Sequence, residues 1–265
     1  MTLSFSIIAP LHQTVIENQV QVGTIDMDIR QTYSTAALVL AAGTSSRMEA
    51  GRHKLLLPLG DRPVIAHVVD AALASQARPI LIVAGYRAEA LRSALDYALV
   101  QPGVMLLENA EYRRGMSSSL KLGMQKLQEI NRNFVYSSNI CNKSISDHFI
   151  DSAVVLLGDQ PLITQDIIDA LIAARQATGK RIIAPLYQGQ RGHPLLFAAD
   201  LFTEFMQIDG DEGGRSVIVK HRAEMATIER PEIASQQDVD TWEAYQKVVE
   251  LWREKREQAR SFDTE

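Results

Sequence analysis

Short apolar segments alternate with amphipathic ones along most of the chain. Residues 36–42 form a continuous apolar run that ends at Gly43, which is typical of a strand buried on both faces. Similar apolar runs follow at 79–84, 104–108, 153–157 and 181–185. Between the runs, apolar residues recur at helical spacing over 63–75, 88–99, 117–130 and 164–178. This alternation predicts an α/β fold with a doubly wound, mostly parallel sheet and helices on both faces.

The pattern changes after Pro185. Short apolar segments at 194–197 and 226–229, with a helix near 199–207, predict a smaller mixed region. The last predicted helix runs from Asp238 to Arg260. An apolar stripe along it is predicted to dock the helix against the rest of the protein, and its residues are Trp242, Tyr245, Val249 and Trp252.

Two segments are predicted to lie outside the folded core. Residues 131–151 are rich in Ser and Asn, which predicts an inserted surface loop. Residues 1–34 show little helical periodicity, and we expect a poorly ordered N-terminal extension there. The remaining chain then forms one domain over 36–260.

Composition excludes several classes of protein. Hydrophobic residues make up 46% of the 265 and charged residues 22%, which suits a globular core with a charged surface. The net charge of −5 and the absence of a basic block argue against a nucleic-acid partner. Cys141 is the single cysteine, so neither an intrachain disulfide nor a cysteine-based metal site is available. No apolar run approaches the ~18–20 residues of a membrane helix, and the chain start lacks the features of a secretion signal, so we expect a cytoplasmic protein.

A loop of small residues follows the first predicted strand, with two cations close behind it. The loop region comprises Leu40, Ala41, Ala42, Gly43, Thr44, Ser45 and Ser46, and Arg47 and Lys54 supply the positive charge. Loops at the carboxyl ends of parallel strands bind ligands in α/β folds, and small residues let backbone N–H groups approach phosphates. The spacing matches neither a P-loop nor the GxGxxG fingerprint, so a plain turn with two solvated cations remains the alternative.

Acidic residues occur at two places that bear on metal binding. Asp159 follows the fourth predicted strand and is suited to hold Mg²⁺, although an Asp that opens the turn before Pro161 is the alternative. Asp238 and Asp240 lie at the start of the last predicted helix. A helix cap is the favoured role for Asp238, and a second metal ligand is the sharper hypothesis for Asp240.

Further polar groups follow the third strand and the later glycine-marked loops. The residues that follow the third strand are Asn109, Gly115, Met116, Ser117 and Ser118. Backbone N–H and hydroxyl groups at the start of a helix are suited to bind a base or a phosphate. For at least one of the serines, the alternative role is the N-cap of that helix. His193 is either a polar anchor for a substrate or a structural histidine in a turn. No Ser-His-Asp or Cys-His arrangement is identifiable, which gives covalent catalysis little support.

Several ordered motifs together resemble the molybdenum cofactor nucleotidyltransferases of the MobA-like NTP transferase family. The motifs are LAAGTSSRM at 40–48, KLLLPL at 54–59, GMSSSL at 115–120, LGDQP at 157–161, RGHP at 191–194, GDEGGR at 210–215 and DVDT at 238–241. Within that family the chain is most similar to the cytidylyltransferases, which join CTP to molybdopterin. Ala42, where guanylyl-transferring relatives usually have glycine, favours CTP over GTP.

The resemblance implies a Rossmann-like nucleotidyltransferase fold and a role for each motif. It implies that the first loop, Arg47 and Lys54 hold the triphosphate, that Asp159 and Asp240 hold Mg²⁺ or Mn²⁺, and that the 115–118 stretch lies by the base. His193, Gly213 and Arg215 would face the pterin. The products would be molybdopterin cytosine dinucleotide and pyrophosphate, and a receiving molybdoenzyme would be a transient partner.

The chain departs from the family pattern in the first loop. Glu49 follows Met48 where the family commonly has glycine, and Lys54 comes seven residues after Arg47, so the loop is slightly longer. Two other functions remain as alternatives. One is a nucleotidyltransferase of the same fold that acts on a sugar phosphate or an alcohol phosphate, and the other is a non-catalytic carrier of the finished dinucleotide cofactor.

Overall fold

The computed structural model describes residues 34–48, 52–141, 149–231 and 237–262, all within the unit Gln31–Glu265. Apart from Ser34, the predicted extension 1–34 lies outside the described residues. No helix in the described ranges is both long and apolar enough to cross a membrane.

The structure contains the alternating strands and helices that the hydrophobic pattern predicts. The strands are β1 (Ser34–Ala41), β2 (Pro58–Leu59), β3 (Arg62–Pro63), β4 (Ile80–Ala84), β5 (Val104–Glu108), β6 (Ile150–Leu157), β7 (Ile182–Tyr187), β8 (Gln190–Arg191), β9 (Leu195–Ala198) and β10 (Met225–Glu229). The α-helices are α1 (Val64–Ala74), α2 (Ala88–Ala94), α3 (Asp96–Leu99), α4 (Met116–Cys141), α5 (Gln165–Thr178), α6 (Arg215–Lys220) and α7 (Trp242–Phe262).

Most of these strands form one mixed sheet. Within the described ranges its order is β10-β7-β9-β6-β1-β4-β5, and β8 pairs with β7. β1 pairs in parallel with both β4 and β6, β4 with β5, and β7 with β10. β9 runs antiparallel between β6 and β7. The predicted doubly wound, mostly parallel α/β fold is therefore confirmed.

Alternate residues of each central strand supply two separate cores. Ala37 and Val39 of β1 pack in the core that α1, α5 and α7 cover, whereas Ala36 and Leu38 pack in the core that α4 and α6 cover. Helix α4 lies close to the sheet, since a Cβ at Gly123 would come within 2.4 Å of Leu38. Burial on both faces explains why these strands are continuous apolar runs.

The strand order places the functional loops at one edge of the sheet. From β1 the chain passes to β4 and β5 on one side and later to β6 on the other, which makes the gap between β1 and β6 a switch point. The carboxyl ends of β1, β4, β5 and β6 meet at this edge because these strands are parallel. Ligands bind at such edges in open α/β sheets.

The prediction of a surface loop over 131–151 is wrong for residues 131–141, which are helical, and for residues 150–151, which begin β6. Helix α4 continues to Cys141 because residues 131–141 contain neither glycine nor proline, so their polar composition does not break the helix. Asn131 also joins this helix to β6, since its side chain donates to the Ile150 carbonyl and accepts from the Ile150 N–H, both at 2.9 Å. Residues 142–148 lie outside the described residues.

Three other predicted helices differ in their bounds. The helix expected over 88–99 is divided into α2 and α3 at Leu95, whose φ of −115° is not helical. The helix expected near 199–207 is instead two short 3₁₀ segments, Ala199–Leu201 and Glu204–Gln207. The last helix begins at Trp242 instead of Asp238, because the Thr241 hydroxyl caps it by accepting from Ala244 N–H at 3.2 Å.

Candidate active site

A cavity of about 500 Å³ opens at the carboxyl edge of the sheet. Most of the residues predicted to bind a nucleotide or a metal line it: Leu40, Ala41, Ala42, Gly43, Thr44, Ser45, Ser46, Arg47, Lys54, Gly115, Met116, Asp159 and Asp240. These residues come from five separate segments of the chain: 40–47, 54, 115–116, 159 and 240. The structure therefore brings the predicted first loop, the lysine and both acidic motifs together around one space.

Lys54 lies between the two acidic motifs. Its ammonium donates to Asp159 Oδ2 at 2.5 Å and to Asp240 Oδ1 at 2.7 Å. Burial alone would lower the pKa of Lys54, but contacts with Asp159 and Asp240 outweigh it and raise that pKa above its ordinary value. Lys54 is therefore charged at neutral pH, and it couples the strand edge to the segment before α7.

Arg47 completes the charge pattern from the other side of Asp240. It donates to Asp240 Oδ2 at 2.7 Å, and its side chain is 71% exposed compared with 14% for Lys54. Burial tends to raise the pKa of Asp240, but Lys54 and Arg47 hold it below its ordinary value. The charges of these two cations and two carboxylates thus balance formally.

The first loop has a backbone suited to an anion. Ser45 has a φ of +57°, a left-handed conformation that is uncommon for a residue other than glycine. Such a conformation within a tight loop turns successive N–H groups toward one concave side. The Ser45 hydroxyl also accepts from the Lys54 N–H at 3.1 Å, which fixes the loop to the start of the lysine segment. A Cβ at Gly43 would meet no atom within 4 Å, so the space in front of this loop is open.

The geometry separates the roles of Asp238 and Asp240. Val239 is buried, and its N–H donates to the Asp159 carbonyl at 2.9 Å, which holds this segment beside Asp159. On one side of Val239, Asp238 accepts from the Gln160 side chain at 2.5 Å, and burial raises the pKa of Asp238. On the other side, Asp240 faces Lys54 and the cavity. Neither aspartate caps the helix, because Thr241 does.

Several residues that were predicted to contact the base of a nucleotide instead form hydrogen bonds with other groups of the protein. Asn109 is buried and donates to the hydroxyls of Ser118 and Ser119 at 2.8 and 3.0 Å. Ser118 in turn donates to the Gly115 carbonyl at 2.8 Å, as in a local serine turn. The Ser117 side chain is also buried, and its N–H donates to the Gly210 carbonyl at 3.1 Å. Asn109, Ser117 and Ser118 thus shape the start of α4 and are not among the residues that line the cavity, whereas Ser119 and Gly115 line it.

The start of α4 already holds an acidic side chain. Met116 N–H donates to Asp211 Oδ1 at 3.1 Å, and Asp211 lines the cavity. Gly115 permits this approach, since its φ is +95° and a Cβ there would lie 2.5 Å from Asp211 Oδ1. The helix N-terminus therefore carries a protein carboxylate where the sequence predicted space for a ligand.

The residues expected to face an acceptor lie outside the cavity lining. Burial lowers the pKa of His193 while the charge of Asp159 raises it, so these two side chains are within electrostatic reach. Gly213 lies against Met116, whose sulfur would be 3.3 Å from a Cβ at that glycine. Arg215 is exposed at the start of α6.

Sequence reasoning missed two residues on the cavity wall. Tyr112 and Arg113 lie in the loop after β5, and Arg113 Nε donates to Tyr112 Oη at 3.3 Å. Gly85 allows Tyr112 and Ala42 to approach each other, since a Cβ there would lie 2.5 Å from Tyr112 Cβ and 2.9 Å from Ala42 Cβ. Their place after a parallel strand was the signal available in the sequence.

The two carboxylates of the site suit a divalent cation such as Mg²⁺. Among the described residues, no group of three or more His, Cys, Asp or Glu side chains converges in a way that would hold a metal alone. Mg²⁺ is usually held by one or two carboxylates together with substrate phosphates and water. Asp159 and Asp240, each contacting the same ammonium, match that requirement.

Comparisons with known proteins agree with this geometry. The sequence model of the family described as "MobA-like NTP transferase domain" matches residues 37–225. Among curated proteins, the bifunctional protein GlmU of Sorangium cellulosum is 29% identical over 151 residues, which are 57% of this chain and 28% of GlmU. The chain thus matches little more than a quarter of that relative's length.

Solved structures share the fold over almost their whole length. Rv0371c from Mycobacterium tuberculosis H37Rv is 25% identical, with a TM-score of 0.62 over 82% of this chain and 98% of that chain. A nucleotidyl transferase from Methanothermobacter (Mth528) is 22% identical, with a TM-score of 0.65 over 84% of this chain and 99% of that chain.

Proposed function

The chain belongs to the family of MobA-like NTP transferase domains, and we propose that it transfers a nucleotidyl group from a nucleoside triphosphate to a phosphorylated acceptor. The observation that carries the proposal is the cluster of Lys54, Asp159 and Asp240 beneath the small-residue loop. This cluster combines a phosphate-binding cation with two ligands for Mg²⁺ or Mn²⁺ at the switch point of the sheet.

In its specific form, this proposal names CTP as the nucleotide donor. The acceptor is the terminal phosphate of molybdenum-loaded molybdopterin. The order of the seven motifs supports it, and so does Ala42 on the cavity wall. The products are then molybdopterin cytosine dinucleotide and pyrophosphate.

The residues of the site act by positioning and by charge. The N–H groups of the first loop and the cations Arg47 and Lys54 bind the phosphates of the nucleotide. Asp159 and Asp240 would hold the divalent metal, which would supply charge stabilisation for the phosphates during transfer. The acceptor phosphate attacks the α-phosphorus in line, a new P–O bond forms, and the bond to pyrophosphate breaks. The attacking phosphate is already ionised, so no side chain has to remove a proton.

The test measures pyrophosphate release with each of four nucleoside triphosphates, with and without Mg²⁺ and molybdenum-loaded molybdopterin. We expect turnover with CTP only, and only when both additions are present. Asp159→Asn should lower the rate on the order of 10³-fold, equivalent to several kcal/mol of barrier. Asp61→Asn, an exposed carboxylate outside the cavity, is the matched control and should leave the rate unchanged.

Other outcomes distinguish the alternatives. Pyrophosphate release with a sugar phosphate or an alcohol phosphate, but not with molybdopterin, would replace the acceptor and keep the reaction class. Tight binding of the dinucleotide cofactor without any pyrophosphate release would indicate a carrier. Near-normal turnover of Asp159→Asn would overturn the assignment of Asp159 to the metal.

A further inference from the structure

We infer that Lys54 occupies the place of the divalent cation when the nucleotide is absent, so that the metal and the triphosphate must enter the site together. The inference rests on the proposed function and concerns how that site is loaded. It gives Lys54 a role before phosphate binding, as a cation that keeps the carboxylate pair occupied.

The Lys54 ammonium bridges the Asp159 and Asp240 carboxylates, as a bound metal ion would. One ammonium donates to an oxygen of each carboxylate, at 2.5 Å to Asp159 and at 2.7 Å to Asp240. The Lys54 and Asp159 side chains are only 14% and 18% exposed, so water screens their attraction less than at a surface. The same two carboxylates are those that suit a metal ion, and two cations cannot share this space.

The surrounding charges make Lys54 difficult to displace without a replacement. Asp238, two residues before Asp240, adds a third carboxyl group to this segment and accepts a hydrogen bond from the Gln160 side chain. Among the described residues, Asp240 is the carboxylate that Arg47 contacts, and the Arg47 side chain is largely exposed. Lys54 is therefore the main buried neutralising group of this acidic cluster.

A metal that takes the carboxylates releases a buried ammonium that then needs another anion. The first loop is fixed to the lysine segment by the bond between Ser45 Oγ and the Lys54 N–H, so phosphates held by the loop lie beside this lysine. A triphosphate supplies the missing partner, whereas a free metal ion does not. By linkage, the nucleotide must raise metal affinity by the same factor by which the metal raises nucleotide affinity.

The experiment measures Mn²⁺ binding in the absence of nucleotide, from the electron paramagnetic resonance signal of free Mn²⁺. We expect Lys54→Gln to bind Mn²⁺ at least about tenfold more tightly than the wild type, because the competing ammonium is gone. Arg113→Gln is the matched control: it removes the same charge from the same cavity, but its guanidinium contacts Tyr112 instead of the carboxylates, and we expect unchanged affinity. Adding Asp159→Asn to Lys54→Gln should abolish the gain.

Equal or weaker Mn²⁺ binding by Lys54→Gln would overturn the inference, since Lys54 would then be neutral toward the metal or needed to hold the carboxylates in place. Near-ultraviolet circular dichroism checks that the variant is folded. Lys54→Met, which keeps the apolar stem of the side chain, serves the same test if Lys54→Gln does not fold. Lys54→Arg keeps the charge and should stay as weak as the wild type; tight binding by it would also contradict the inference.

The outcomes are separable from those of the proposed function. Tightened Mn²⁺ binding by Lys54→Gln, with no pyrophosphate release by the wild type from any nucleotide, would keep this inference and remove nucleotidyl transfer. Pyrophosphate release by the wild type, with the same Mn²⁺ affinity in both proteins, would keep the reaction and remove the competing role of Lys54.

Discussion

Replacing Gly115 by alanine tests how the loop at 210–211 is held against the start of α4. Gly115 has a φ of +95° with a ψ of 179°, a region that is almost confined to glycine. An added Cβ would lie 2.5 Å from Asp211 Oδ1 and 2.6 Å from the Gly210 carbonyl. One of those contacts is to backbone, so the loop itself has to retreat.

The structure sets the size of the effect. Retreat breaks the bonds from Met116 N–H to Asp211 and from Ser117 N–H to Gly210, both 3.1 Å long. Each such bond contributes about 1 kcal/mol, and the backbone conformation costs alanine on the order of 1–3 kcal/mol. We therefore expect Gly115→Ala to lower the free energy of unfolding by about 3–5 kcal/mol.

Urea unfolding measures this change, and Gly103→Ala is the control. Gly103 also has a positive φ, +77°, but a Cβ there would meet nothing within 4 Å. Gly103→Ala should lower the free energy of unfolding by about 1–2 kcal/mol, because only the backbone conformation is unfavourable for alanine there. A difference of less than about 1 kcal/mol between the two variants would refute the assignment of the two hydrogen bonds to Gly115.

Three further outcomes follow from polar side chains away from Lys54. Burial lowers the pKa of His193 below 6.5, so the folded protein binds fewer protons than the unfolded chain as the pH falls below that value. The free energy of unfolding, measured with urea, should therefore drop between pH 7.5 and 5.5, with at most about 1.4 kcal/mol per pH unit due to His193. His193→Phe should make this pH dependence less steep, and an unchanged slope in the variant would contradict the reasoning. Asn131→Ala leaves both backbone groups of Ile150 without their side-chain partner and should cost about 2–3 kcal/mol in the same assay, where a loss under about 1 kcal/mol would count against it. Thr241→Ala removes the cap of α7 and should cost about 1 kcal/mol, seen as a melting temperature lower by about 2–4 °C; an unchanged melting temperature would show that the cap is dispensable.

The parallel part of the fold follows from local pattern because its strands are buried on both faces. β4, for example, is buried at every residue, and its sequence ILIVA is a continuous apolar run. β9 is equally buried, yet nothing in its sequence shows that it enters the sheet antiparallel between β6 and β7. Pairing direction depends on the path of the chain, which a short apolar run does not encode.

Helix ends were harder to predict because they depend on tertiary partners. Asparagine and serine are common in loops, which led to the wrong loop prediction at 131–141. The Asn131 side chain instead serves the Ile150 backbone on a neighbouring strand, a contact between residues far apart in the chain. Similarly, Asp238 resembled a cap by its position, but its partner is Gln160.

The meeting of the acidic motifs at Lys54 was only partly accessible from the sequence. The rule for parallel strands places Asp159 and the first loop at one edge, since β1 and β6 are neighbours. Asp240 reaches the same point through tertiary contacts of its segment: Val239 is buried and donates to the Asp159 carbonyl, and Asp238 accepts from Gln160. No local pattern predicts these contacts.

The charges of the site also change what the overall charge implies. The net charge of −5 argues against a nucleic-acid partner, and Arg47 and Lys54 are the cations predicted to bind a phosphate beside the first loop. In the structure both cations are already paired with Asp159 and Asp240, so they present no excess positive charge. A triphosphate entering alone would bring more negative charge beside two carboxylates that Lys54 and Arg47 already neutralise. A divalent cation that enters with it would neutralise those carboxylates and leave Lys54 and Arg47 to pair with phosphate. Under the proposed function, the metal would therefore assist nucleotide binding as well as transfer.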